Sequence, residues 1–306
     1  MSSSRIPRAQ HEICVRGPYR LDLTVNVLRR LPANLVDVLT DQGDYFRAFA
    51  TDQGPFVVSV QQRRSNALVV QVSGRNRNDS GPIANALAMI RRMLGVDREL
   101  SVFNRAAERI SWLRSLARRM RGVKPPRYPS LWEAFVNAVV FQQISLAAAS
   151  AISRRLIMTL GEEVNWYGTT LYTFPNIERF QEASDSVLRA LGLSASKAAT
   201  LRRAAEAIRS GGVGEAALEA LASQDAAKVL CGIKGIGPWT ATIILLRGLG
   251  RLDVFPMNDS SVTRNLTLLA GSTPPRMSDV LSALGSQRGM LYYHLLLGRL
   301  DARGYI

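Results

Sequence analysis

The stretch Leu230-Cys-Gly-Ile-Lys-Gly-Ile-Gly-Pro-Trp-Thr-Ala241 holds the residues best suited to chemistry in this 306-residue chain. Its spacing predicts a helix that stops, a tight turn, and a second helix starting at Pro238. Proline suits the first helical position because the amide it lacks would be unpaired there. Gly235 and Gly237 leave backbone amides bare at a helix N-terminus, where the helix dipole favours a phosphate. Lys234, within the turn, and Thr240, in the first turn of the second helix, extend the same candidate contact. Such a site reads backbone shape, not base sequence. A lone Gly-x-Gly could end any helix, but here the full spacing sits at a helix junction.

Asp259 lies 20 residues after Trp239 and just before a helical run. It can serve as an N-cap, accepting the amide of Ser261 or Val262. A capping Asp is also fixed in direction, which suits a carboxylate that must point into a cleft. No second acid or histidine accompanies it, since the only histidines are His11 and His294.

The elements that must carry these residues fall into two textures. From His11 to Gly74, short Val- and aromatic-rich runs (His11–Arg16, Tyr45–Thr51, Pro55–Arg63, Ala67–Gly74) alternate with turn residues, with helices expected over Leu21–Arg30 and Pro82–Leu94. That predicts a small antiparallel sheet with helices on one face. From Phe103 onward, Ala, Leu and Arg dominate and the period becomes helical, giving many short helices, among them Phe103–Met120, Leu131–Phe141, Ala195–Ser210, Pro238–Leu249 and Ser278–Leu300. The fold class is α+β overall, with an N-terminal mixed α/β domain over 10–102 and an all-α core over 103–306.

A formal net charge of +15 comes from 39 basic and 24 acidic residues. Only Lys124, Lys197, Lys228 and Lys234 are lysines, so 35 of the basic residues are Arg. Arg binds phosphate bidentately and stacks on bases, which makes nucleic acid the leading partner. Arg105, Arg109, Arg114, Arg118, Arg119, Arg121, Lys124 and Arg127 cluster against the single acid Glu108, as a solvated helix face or a phosphate-contacting one. Cys14 and Cys231 are too few for a four-thiolate zinc site and are expected reduced and buried. The first ten residues contain no signal-peptide core, and no apolar run is long enough to span a membrane, so a soluble intracellular protein is expected.

The hairpin, the following helix and Asp259 together resemble the helix-hairpin-helix DNA glycosylases, in particular the 3-methyladenine DNA glycosylase II type. The segments Leu131–Ser145, Thr173–Glu178 and Leu188–Ala198, with Gly17-Pro-Tyr19 and Tyr293–Leu296, are similar to that family as well. The resemblance implies a base-excision-repair enzyme that flips a damaged nucleotide from double-stranded DNA and hydrolyses its N-glycosidic bond. It implies that Asp259 stabilises the cationic sugar, that Trp239 stacks on the base unless it is core packing, and that Gln143 plugs the gap left by the base unless it caps the preceding helix. Bifunctional relatives carry a Lys where this chain has Trp239, so a monofunctional enzyme acting on alkylated purines is implied. Three departures stand out. A pocket Tyr of the family is Ile243 here, and only Tyr19 remains of an aromatic cluster in the substrate-contacting N-terminal segment; a pocket Trp falls near Arg299. No catalytic metal or organic cofactor is implied, and a monomer is expected. Rival readings are a glycosylase for hypoxanthine, uracil or an oxidised purine, and a non-catalytic DNA-binding protein that uses the hairpin as a phosphate clamp.

Overall fold

A computed structural model describes residues 10–31, 33–73, 80–257, 259–270 and 276–306. Gly74, the expected end of the fourth strand, and the first nine residues lie outside the described residues. Strand β1 (Gln10–Cys14) is followed by α1 (Leu21–Arg29), β2 (Val38–Leu39), β3 (Tyr45–Phe49), β4 (Phe56–Arg64), β5 (Ala67–Ser73) and α2 (Ser80–Met93). The strands form one antiparallel sheet in the order β1-β5-β4-β3-β2. The β4–β5 hairpin turns at Ser65-Asn66, as its polar residues predict. Alternation buries Val58 and Val60 beside Leu68 and Val70.

The helical part comprises α3 (Ser101–Arg109), α4 (Ser111–Arg119), α5 (Leu131–Val140), α6 (Leu146–Leu160), the hairpin β6 (Glu163–Trp166) and β7 (Thr169–Tyr172), α7 (Ile177–Glu182), α8 (Asp185–Ala190), α9 (Ala195–Arg209), α10 (Glu215–Ala220), α11 (Ser223–Cys231), α12 (Pro238–Arg247), α13 (Ser260–Ala270), α14 (Met277–Leu284) and α15 (Met290–Asp301). Sheet and helices share one hydrophobic cluster, in which Val60 and Leu68 join Phe135, Val139, Leu201 and Ile244. A second cluster packs Leu23 and Val27 of α1 with Phe103, Leu116, Leu246 and Leu291.

Several expectations are corrected. The run 103–120 is two helices, because Ile110 is extended (φ −95°, ψ 106°) and lets α3 and α4 bury Phe103 and Leu116 in the same cluster. The run 278–300 breaks where Gly285 takes φ 58° and Gly289 is packed so closely that a Cβ would lie 2.7 Å from Leu246 Cδ1 and 3.0 Å from the Val254 carbonyl oxygen. The β6–β7 hairpin was not expected; its turn needs positive φ at Tyr167 and Gly168 (47° and 81°), a two-residue signature obscured by the Ala/Leu-rich surroundings. Cys14 is exposed on the outer face of edge strand β1, and Cys231 is only half-buried.

Charge also enters the interior. Arg47 of β3 is 1% exposed and donates to Asp37 (2.7 Å) and to Glu133 of α5 (2.5 Å), fastening the sheet to the helical core. Burial pushes the Glu133 carboxyl up, against the lowering pull of the Arg47 guanidinium. The expected surface cluster at 105–127 is also smaller than it reads. Lys124 and Arg127 are buried, the ammonium donating to the carbonyls of Arg16 and Arg98 (both 2.7 Å) and the guanidinium to that of Leu249 (3.1 Å).

Candidate active site and nucleic-acid interface

Helix α11 ends at Cys231, and the chain turns through Lys234 and Gly235 into α12, with Pro238 at the first position. Gly235 has φ +101°, and a Cβ there would sit 2.0 Å from the Thr200 hydroxyl on α9. Both facts demand glycine. Gly237 is extended, and a Cβ on it would meet nothing within 4 Å, so its surroundings are open on the outside. The first bond of α12 runs from the Ala241 amide to the Gly237 carbonyl (2.9 Å), which leaves the amides of Trp239 and Thr240 in the first turn without a preceding carbonyl. Lys234 is exposed, and its carbonyl accepts from Arg203 Nε on α9 (2.9 Å). The result is a turn held against α9, with the Trp239 and Thr240 amides not taken by a preceding carbonyl and one exposed lysine beside them.

Asp259 precedes α13 and is 8% exposed. The Val262 amide donates to Oδ1 (3.2 Å), the N-cap contact expected. The indole Nε1–H of Trp239 donates to Oδ2 (2.9 Å). Two donors from two helices therefore fix the direction of this carboxylate, and Trp239 joins the hairpin to it. The indole is half-buried against the main cluster, so its packing and polar roles coexist.

Gln143, in the loop between α5 and α6, is exposed with φ +54°. The C-cap residue of α5 is Phe141, whose amide donates to the Asn137 carbonyl (3.3 Å). Ser145 caps α6 through the Ala148 amide (3.2 Å). Three expected contacts are corrected by burial. Tyr19 is 2% exposed in the core, with its hydroxyl donating to the Leu94 carbonyl (3.1 Å) and its pKa raised by desolvation. It has no face left for a base. Ile243 is 1% exposed because it lies on the packed side of α12. Thr240 is 2% exposed, and its hydroxyl accepts from Gln142 Nε2 (2.8 Å), so its side chain has no surface left for a contact with DNA.

Sequence reasoning passed over Gln142, Lys197, Thr200 and Arg203, which hold the loop and turn in place. One signal was available for Lys197: it is one of four lysines in an arginine-rich chain and lies within the Leu188–Ala198 segment. Among the described residues, no group of three His, Cys, Asp or Glu could hold a metal ion, and no helix is long and apolar enough to cross a membrane.

Residues 136–285, which contain the loop, the hairpin and Asp259, match the HhH-GPD superfamily of base excision DNA repair proteins. The chain is 28% identical over 226 residues to a DNA-3-methyladenine glycosylase of Bacillus subtilis, covering 70% of this chain and 74% of the relative. It is 29% identical over 249 residues to a probable bifunctional transcriptional activator/DNA repair enzyme AlkA of Mycobacterium tuberculosis, covering 80% of this chain and 48% of that longer protein. A solved 3-methyladenine DNA glycosylase from Archaeoglobus fulgidus has the same fold over 97% of this chain and 100% of its own, with a TM-score of 0.77 at 24% identity. Over 136–285, the segment that carries its hairpin and Asp259, the chain is similar to the HhH-GPD superfamily of base excision DNA repair proteins.

Proposed function

We propose that this protein is a monofunctional DNA glycosylase that releases alkylated purines of the 3-methyladenine type from double-stranded DNA. The observation that carries the reading is the carboxylate of Asp259, oriented by the Trp239 indole N–H at 2.9 Å beside a turn of open amides. The turn binds a phosphate of the lesion strand, which brings the extruded nucleotide to Asp259. The C1′–N bond breaks with its electron pair leaving on the base. An alkylated purine is already cationic and departs neutral, so no strong general acid is needed. The sugar gains oxocarbenium character, which Asp259 stabilises electrostatically in a partly dry site. Water then bonds to C1′ and gives up its proton towards the carboxylate. Trp239 supplies no amine, and Lys234 lies before α12 on the exposed side of the turn, so the product is an unbroken abasic strand. The protein acts as a monomer, needs no cofactor and works in the compartment that holds DNA.

Incubation with duplexes carrying single defined lesions tests this directly. Strand breaks should appear only after alkali, largest for 3-methyladenine-type lesions, and borohydride during turnover should trap no protein–DNA adduct. A stoichiometric adduct would overturn the monofunctional assignment, and base release confined to uracil or oxidised purines would overturn the substrate class.

A further inference from the structure

Two side chains at the site have no role in binding phosphate or stabilising the sugar. Gln142 Nε2 donates to the Gly235 carbonyl (3.1 Å) and to Thr240 Oγ1 (2.8 Å), reaching from the loop after α5 into the hairpin turn. Lys197, at the start of α9, donates from Nζ to the carbonyls of Val140 and Gln142 (both 2.9 Å). Its ammonium thus sits at the C-terminal end of α5, where the helix dipole favours a cation. From the other side, Arg203 of the same α9 holds the Lys234 carbonyl, and Thr200 lies against Gly235. One helix therefore grips both the loop and the turn, and Gln142 links the two to each other.

Between these fastenings stands Gln143, exposed and in the left-handed region at φ +54°. A residue with a Cβ rests there only when its surroundings hold it. Released, the loop would relax to an ordinary conformation and withdraw the side chain.

We propose that Lys197 and Gln142 are positioning residues that hold Gln143 erect as a wedge and lock it to the phosphate-binding turn, so that clamping the backbone and extruding the nucleotide are one event. This rests on the glycosylase reading above. The chemistry is unchanged by the latch; what it changes is the cost of taking the base out of the stack, which a held side chain offsets by filling the gap.

The test compares one lesion in two settings: paired in a duplex, and in a single-nucleotide bulge where no pairing must be broken. Single-turnover base release and the fluorescence of 2-aminopurine beside the lesion are followed for Gln142→Ala, Lys197→Met and Lys197→Arg. On the paired lesion, the first two should be slower by roughly tenfold to a hundredfold, the upper figure being what misplacement by about an ångström can cost. On the bulged lesion they should stay within about threefold, and Lys197→Arg, which keeps the charge and the donors, should recover most of the paired-lesion rate. Equal losses on both substrates, or no loss on either, would overturn the latch. Thermal unfolding monitors folding, and Gln142→Ala, on a half-buried side chain, carries the test alone if Lys197→Met does not fold. The fluorescence reads extrusion without base release. A wild-type protein that extrudes the nucleotide but frees no base would therefore fail the glycosylase reading while the variants still decide the latch.

Discussion

Two groups of polar side chains lie inside this protein, and they are spent differently. In the interior, Arg47 commits its terminal nitrogens to Asp37 and Glu133, and His294 is 2% exposed with Nδ1 against the Met290 carbonyl (2.9 Å) and its ring 4.6 Å from that of Phe103. At the hairpin, Asp259 is nearly as buried, but its donors come from two different helices, and one of them, Trp239, stands in the first turn of α12, where amides have no preceding carbonyl and the exposed Lys234 lies in the turn before it. Burial of a polar group therefore does not mark a functional site by itself. What separates the two groups is whether neighbouring backbone and charge are left facing outward.

The sharpest way to break that comparison is to neutralise the Asp259 carboxylate. Asp259→Asn keeps the shape and an oxygen acceptor but removes the negative charge, which acts mainly on the transition state. Single-turnover base release should fall by about 10³-fold or more, roughly 4 kcal/mol, while affinity for lesion DNA changes by no more than several-fold. Stability should drop by about 1 kcal/mol or less from the weaker cap. Retention of most of the activity would place Asp259 with the interior group.

Next in size is the interior histidine. Burial lowers the pKa of His294 to about 4, below the ordinary value of 6.5, with the Met290 bond opposing this. The unfolded chain therefore binds the proton more readily than the folded one. Stability from this residue is full above about pH 6.5 and is lost as pH falls towards 4, by roughly 3 kcal/mol in total. In denaturant titrations across that window, wild type should lose stability more steeply than His294→Gln, by up to about 1.4 kcal/mol per pH unit. Parallel profiles would show that the ring is protonated without unfolding.

The same contrast explains what could be read before the structure. The hairpin was legible because Gly235, Pro238 and the cap at Asp259 answer local backbone requirements: a positive φ, a first helical position and a first-turn amide. The N-cap of Asp259 and the β4–β5 turn were legible for that reason. Tyr19 and Ile243 were misplaced because burial is decided by distant partners, here Leu94 and the neighbours of α12, and an aromatic or aliphatic type alone cannot tell a pocket wall from a core. Thr240 shows the finer version, since its hydroxyl was claimed by Gln142, 98 positions away in sequence. Lys197 and Arg203 escaped notice because they act through carbonyls, and any residue type supplies a carbonyl. The indole–carboxylate bond between Trp239 and Asp259 joins two residues already singled out, yet only the folded chain brings them within 2.9 Å.

The smallest expected effect separates two lysines six positions apart. Lys228 on α11 is exposed but paired with Asp225 at 2.8 Å, whereas Lys234 is exposed in the turn and its ammonium has no hydrogen bond or ion pair among the described residues. A cation that meets a phosphate releases about one counterion from the DNA, so it contributes nearly one unit to the dependence of log affinity on log salt. Lys234→Ala should therefore make that slope shallower by about one and weaken binding almost equally on damaged, undamaged and unrelated duplexes, because a phosphate contact carries no base sequence. Lys228→Ala removes a charge already neutralised by its neighbour and should leave the slope within about 0.3 of wild type. Salt titrations followed by fluorescence anisotropy measure both variants under one set of conditions. Equal slope changes would mean that net charge alone draws the DNA and that the turn makes no specific contact. A change in Lys234→Ala confined to one sequence would move Lys234 from the backbone to a base edge.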